Sequence, residues 1–162
     1  MISITPAGQG DAPALAELLA EMDRFYGGAA AKPGDEQVRQ ISEALFSGPA
    51  PARALLAWDG TQLAGMAAYS FLWPAAGLTR SLYLKELYVG ASHRRQGAGK
   101  LLMKAVFESA ARHRCSRIEW TTDTGNAGAQ AFYAGLGLPQ HPSKVFYRVP
   151  DTGAGFPAVS AT

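Results

Sequence analysis

Cysteine is nearly missing from this chain: Cys115 is the only one among 162 residues. An intrachain disulfide is therefore excluded, and no CxxC pair or Cys/His cluster with metal-ligand spacing exists, so no metal is expected. Charge is scarce as well, with 17% of residues charged and a formal net charge of +2. No basic run or patch of the kind a phosphate backbone demands is present, which argues against nucleic-acid binding. Long apolar runs are also lacking. No stretch approaches the roughly 20 residues of a membrane span, and the opening Met-Ile-Ser-Ile-Thr-Pro has no basic region followed by an apolar one. No internal repeat is visible, so a solenoid is excluded. These absences lead to the expectation of a soluble, cytoplasmic protein with no membrane partner.

What the chain has is apolar side chains, 48% of the total, enough for one compact domain with a real core. We expect that domain over residues 1–150, followed by a frayed Gly/Pro/Ala/Ser tail over 151–162. Ile2 to Thr5 alternates like a short strand. Asp11 is placed to cap a helix whose stripe is Leu15, Leu18, Leu19, Met22, Phe25 and Tyr26, stopped by Gly27-Gly28. After a loop through Pro33-Gly34, expected to be mobile, Asp35 is the expected cap of a second helix carrying Val38, Ile41, Leu45 and Phe46. The period then switches to strands: Arg53 to Trp58, a hairpin turn at Asp59-Gly60, Leu63 to Trp73, and Ser81 to Val89. A helix over Gly99 to Cys115, a strand over Arg117 to Thr122, a short helix over Asn126 to Leu136 and a last strand over Lys144 to Val149 complete the pattern. The fold class is α/β, with a mainly antiparallel central sheet covered by helices.

The chemistry concentrates after the strand ending Leu87-Tyr88-Val89, at Arg94-Arg95-Gln96-Gly97-Ala98-Gly99-Lys100. A strand that delivers a glycine-rich turn to a helix start gathers unpaired N–H groups and the positive end of the helix dipole, which suits a pyrophosphate. Two common owners of such turns fail on spacing. The mononucleotide loop requires Ser or Thr after Gly-Lys, where Leu101 stands, and a glycine where Arg94 stands; the dinucleotide pattern requires a third glycine at Leu102.

The remaining pattern, Arg94-x-x-Gly97-x-Gly99 followed by Asn126-x-x-Ala129-x-x-Phe132-Tyr133, resembles the GCN5-related N-acetyltransferase (GNAT) superfamily over nearly the whole chain. The run Tyr83 to Val89, with the long hairpin before it, looks most like the diamine acetyltransferases. The resemblance implies a GNAT-like mixed sheet with helices on both faces, and an enzyme that transfers an acetyl group from acetyl-CoA to a primary amine of a small molecule. It implies that the backbone of Arg95, Gln96, Gly97, Ala98, Gly99 and Lys100, with Arg94 before them, holds the pyrophosphate, and that the strand at Leu87 and Val89 splays to receive the pantetheine arm. Asn126 and Tyr133 are expected on one face of the short helix, Asn126 against the cofactor and Tyr133 as general acid to the departing thiolate. Glu86 is the leading candidate for the base.

Diamine acetyltransferases typically carry Glu-Asp where this chain has Lys85-Glu86. A lysine there would repel a polycation and hold a carboxylate, which points to an amino acid or other zwitterionic amine, with Tyr26 reaching the acceptor from the first helix. Simpler readings stand beside these: Tyr133 as an aromatic packed under the sheet, Glu86 as a solvated strand residue, His93 as a loop residue, Cys115 as a buried helix-end residue. A non-catalytic acyl-CoA-binding or sensing module is the alternative function. Homodimerisation through the last strand or the aromatic hairpin is a further expectation.

Overall fold

The computed structural model describes residues 1–29, 33–150, 153, 155 and 156. The middle of the loop expected to be mobile, residues 30–32, and most of the expected tail lie outside the described residues. The elements are β1 (Ile2–Pro6), α1 (Ala12–Phe25), α2 (Asp35–Phe46), β2 (Arg53–Asp59), β3 (Gln62–Leu72), β4 (Arg80–Val89), α3 (Ala98–Arg112), β5 (Cys115–Glu119) and α4 (Ala127–Gly135). They fall into two units, the first ending at Asp123 and the second beginning at Thr124.

In the first unit the strands form one five-stranded sheet in chain order, antiparallel from β1 to β4 and parallel between β4 and β5. The β2–β3 turn is as tight as Asp59-Gly60 implies: Asp59 pairs with Gln62, and Gly60 takes φ +59°. Alternation divides the sheet's side chains between two faces. On one face Leu56, Met66, Tyr88 and Ala54 form a core with Leu15 and Leu18 of α1, and Ile41 and Leu45 of α2 pack against it. On the other, the buried Tyr69 hydroxyl hydrogen-bonds Ser109 Oγ of α3 at 2.9 Å, and Phe71 stacks against His113 with ring centroids 4.5 Å apart. Leu102 and Val106 of α3 are fully buried. Helices therefore cover both faces, as the resemblance implies. Among the described residues no helix is long and apolar enough to cross a membrane.

Several local expectations are corrected. Asp11 stands at the N-cap of α1 as expected, but its carboxylate makes no forward cap bond; it reaches back to accept the Gly8 N–H at 2.8 Å, closing a turn before the helix. At α2 the N-cap is Gly34, whose N–H donates to Gln37 Oε1 at 2.9 Å, and Asp35 is the first helical residue. Cys115 opens β5 and does not end α3, because Arg114 takes φ +54° and turns the chain between them. Lys144 to Val149 forms no strand: it pairs with no ladder, and Val145, Phe146, Tyr147 and Val149 are all exposed. β propensity without a pairing partner does not make a strand.

Candidate active site

The glycine-rich turn is fastened where β4 ends. Gly65 of β3 faces Val89, and a Cβ at 65 would stand 2.7 Å from the Tyr88 carbonyl oxygen, so glycine permits the close approach of these strands. Gly90 donates its N–H to Ala64 O at 2.9 Å, a single helical turn over Ala91–His93 follows, and Arg94 is extended. Arg95 and Gly97 then take φ of +61° and +88°. Left-handed conformation costs a non-glycine residue about 1–2 kcal/mol, and such strain is typical of functional turns. Its effect is to turn successive N–H groups to one side. The first backbone bond of α3 runs from Leu101 N–H to Gly97 O at 3.1 Å, which leaves the amides of Ala98, Gly99 and Lys100 without an intrahelical acceptor. A Cβ on Gly97 would meet nothing within 4 Å, so open space lies over the turn. The donor set and that space fit a diphosphate.

Beside the turn, β4 parts from β5. The parallel ladder ends at the pair Tyr83 and Glu119, and from Leu84 to Val89 only the β3 edge of β4 is paired. Leu87 and Val89 thus lie on the open stretch, where backbone groups are available to an extended ligand arm. A bulge precedes them: Leu84 pairs with Tyr69 and Glu86 with Ala68, so Lys85 has no partner. The extra residue reverses the alternation. Tyr83, Glu86 and Tyr88 therefore share the face of Met66 and helix α1, although simple alternation from Leu82 would put Glu86 and Tyr88 on the other side.

Burial raises the pKa of Glu86; the adjacent Lys85 and the Leu87 N–H pull it down, and Asp123 adds to the rise. Lys85 itself is exposed. Tyr26 follows the last turn of α1, and its phenol pKa is raised by burial first and then by Glu86 and Asp123, against Arg94. Tyr26, Glu86 and Asp123 thus share one electrostatic neighbourhood. Cys115 has its thiol pKa raised by burial, the opposite of what an activated nucleophile needs.

Arg94 is exposed, yet its side chain folds back over the end of α1. Its guanidinium lies over the Phe25 ring at 4.2 Å, its Nε donates to Val89 O at 3.1 Å, and Nη2 makes a longer bond of 3.4 Å to the Tyr88 hydroxyl. That hydroxyl donates to Glu21 Oε1 at 3.0 Å, and the same oxygen accepts the Ala91 N–H at 2.8 Å. Sequence reasoning missed Glu21, Phe25, Tyr88 and Asp123 as site residues. The signal for Glu21 was a carboxylate one turn after the buried Leu18 and one turn before Phe25.

In the second unit, Asn126 caps α4 and its Oδ1 accepts the Ala129 N–H at 3.0 Å. It precedes the helix, which corrects the expectation that it projects with Tyr133 from two turns of one helix face. Tyr133 is half-buried, one ring edge-on to Phe132 at 5.2 Å, and its carbonyl accepts the N–H groups of Leu136 and Leu138.

Known proteins share sequence and fold with this chain. A 75-residue stretch, 46% of the chain, is 29% identical to the L-ornithine N5-acetyltransferase NATA1 of Arabidopsis thaliana and spans 33% of that protein, so the match covers about a third of this relative's length. Among solved structures, an integron cassette protein from the mobile metagenome of V. cholerae superposes with a TM-score of 0.81 at 28% identity, over 94% of both chains. The aminoglycoside N-acetyltransferase AAC(6')-Iy, solved in complex with CoA, shares the fold with a TM-score of 0.72 at 19% identity, covering 91% of this chain and 94% of that one. The model of the acetyltransferase (GNAT) family matches residues 15–138, from α1 through the cradle to the end of α4, and the chain belongs to that family.

Proposed function

We propose that this protein is an acetyl-CoA-dependent N-acetyltransferase acting on a primary amine of a small molecule, with residues 1–150 as one catalytic domain. The observation that carries the reading is the juxtaposition at the end of β4: acceptor-free amides at Ala98, Gly99 and Lys100 beside the strand stretch that β5 leaves unpaired. An elongated ligand with a diphosphate at one end and an amide-bearing arm ending in a thioester fits that arrangement. The amides of Arg95 to Lys100 bind the diphosphate. Peptide groups at Leu87 and Val89 bond the arm and polarise the thioester carbonyl.

In the reaction the acceptor ammonium first gives a proton to Glu86, directly or through water. The free amine nitrogen attacks the thioester carbon, the C–S bond breaks as the C–N bond completes, and the nitrogen gives up its second proton to water as the neutral amide forms. Tyr133 protonates the departing thiolate, and Glu86 and Tyr133 are restored by exchange with solvent. Burial makes Glu86 a better base than an ordinary carboxylate, which is its contribution. Asn126 fixes the start of the helix that carries Tyr133.

For the acceptor we propose an amine that also bears a carboxylate, held by Lys85, with Tyr26 lining the pocket. The ornithine specificity named for the Arabidopsis relative supports this class. The protein acts without a metal, in the cytoplasm, and pairs as a homodimer in this reading. The test is steady-state release of CoA thiol from acetyl-CoA across amino acids, polyamines, aminoglycosides and lysine peptides. Turnover confined to carboxylate-bearing amines supports it; tight acetyl-CoA binding without turnover on any acceptor favours a sensing module instead.

A further inference from the structure

The side chains behind the cradle form a brace that links it to the first helix. Glu21 stands in the third turn of α1, and one of its oxygens accepts from two elements at once, the Tyr88 hydroxyl of β4 at 3.0 Å and the Ala91 N–H of the turn at 2.8 Å. These two donors flank Gly90, whose own N–H is held by Ala64 O at 2.9 Å. The hinge between β4 and the cradle is thus fastened from β3 on one side and from α1 on the other. Arg94 closes the arrangement from within the loop: its guanidinium covers the Phe25 ring one turn beyond Glu21, and it donates to Val89 O and to the Tyr88 hydroxyl. The tyrosine hydroxyl accepts from a cation and donates to an anion, which strengthens both bonds. Among the described residues Arg94 makes no salt bridge.

We propose that Glu21 is a positioning residue for the cradle, and that Arg94 braces the loop from behind through Phe25 and Tyr88 and is not itself a phosphate ligand. The helix end that carries this brace also carries Tyr26, whose ring meets Phe25 edge-on at 5.2 Å. Gly27 and Gly28 lock that end, the Gly28 N–H donating to Asp23 O at 2.8 Å and the Gly27 N–H to Arg24 O at 3.1 Å. A change at Glu21 therefore propagates to the diphosphate amides through the Gly90–Ala91 turn, with no contact between Glu21 and the cofactor. The inference rests on the reading that the cradle takes the acetyl-CoA diphosphate.

The experiment compares Glu21→Ala, Glu21→Gln, Tyr88→Phe and the Glu21→Ala/Tyr88→Phe double variant, with Gly97→Val as a cradle control. Acetyl-CoA affinity is measured by calorimetry at a temperature where each variant is folded by circular dichroism, alongside KM and kcat. Glu21→Ala should weaken acetyl-CoA binding about 10-fold, the loss expected when one part-buried and one exposed hydrogen bond go, and raise its KM while kcat at saturation stays within about twofold. Glu21→Gln, whose amide oxygen still accepts from both donors, should recover most of the affinity. The double variant should lose less than the product of its parents' effects, because both act on the same bond. A Glu21→Ala protein that is folded and binds acetyl-CoA as the parent does, or one that loses kcat with KM unchanged, overturns the inference. Failure of the cradle reading looks different: Gly97→Val then binds acetyl-CoA normally, or the parent protein does not bind it, and the inference falls with it.

Discussion

Replacing Gly97 separates what the cradle requires of its backbone from what it requires of its empty space. Glycine sits there at φ +88°, and a Cβ at that position meets nothing within 4 Å. The protein itself therefore presents no clash, and the folding cost of a side chain comes from conformation alone. For alanine that is about 1–2 kcal/mol, and more for a β-branched residue. In a chain of this size each kcal/mol lowers Tm by about 2–4 °C, so Gly97→Ala should melt roughly 2–8 °C lower. Asparagine tolerates the left-handed region, so Gly97→Asn should melt near the parent. For ligand binding the order changes. In the proposed function any side chain at 97 would occupy the space through which the diphosphate reaches the amides of Ala98 to Lys100, and both variants should lose about 10- to 100-fold in acetyl-CoA affinity, the equivalent of one or two charge-assisted hydrogen bonds. Differential scanning calorimetry and titration calorimetry read the two effects. Gly97→Asn that keeps its Tm and also binds acetyl-CoA as tightly as the parent would refute the reasoning.

At Glu86, burial favours the neutral acid, so the folded pKa lies above the unfolded one; ionisation then costs stability in full above the raised value and nothing below the ordinary carboxylate range. Glu86→Gln should accordingly gain stability relative to the parent as pH rises through that window, read by chemical denaturation, and should remove the acid limb of the kcat/KM profile. Leu102→Ala, at a fully buried position of α3, should cost about 2–5 kcal/mol in denaturant unfolding, with acetyl-CoA KM little changed where the protein is folded. Lys85→Glu should shift acceptor preference from carboxylate-bearing amines toward polyamines; unchanged acceptor ratios in competition assays would remove Lys85 from the pocket.

Much of the first unit was legible because its signals are local. Asp59-Gly60 fixes a tight hairpin by its own backbone preference, and Gly27-Gly28 ends α1. What stayed hidden depends on partners distant in the chain. The bulge at Lys85 is a mismatch between β3 and β4, so no period within β4 alone reveals that Glu86 and Tyr88 share the face of α1. The Glu21 carboxylate is understood only through donors at Tyr88 and Ala91. Asp11 does take the N-cap position that Asp favours, yet its carboxylate bonds Gly8 instead of the helix, and at α2 a glycine takes the N-cap ahead of Asp35. Lys144 to Val149 has strand composition without a ladder. In each case propensity named a preference and the available partner decided the outcome.

The central claim is acetyl transfer to nitrogen. It is tested most directly by incubating the protein with acetyl-CoA bearing an isotope-labelled acetyl group and a carboxylate-bearing amine such as ornithine, then following the acceptor by mass spectrometry, with Tyr133→Phe in parallel. The account predicts labelled amide formed in equal amount to the CoA released, at a rate lowered about 100-fold or more in the variant. No labelled amide on any acceptor in the panel, with acetyl-CoA bound, would contradict it.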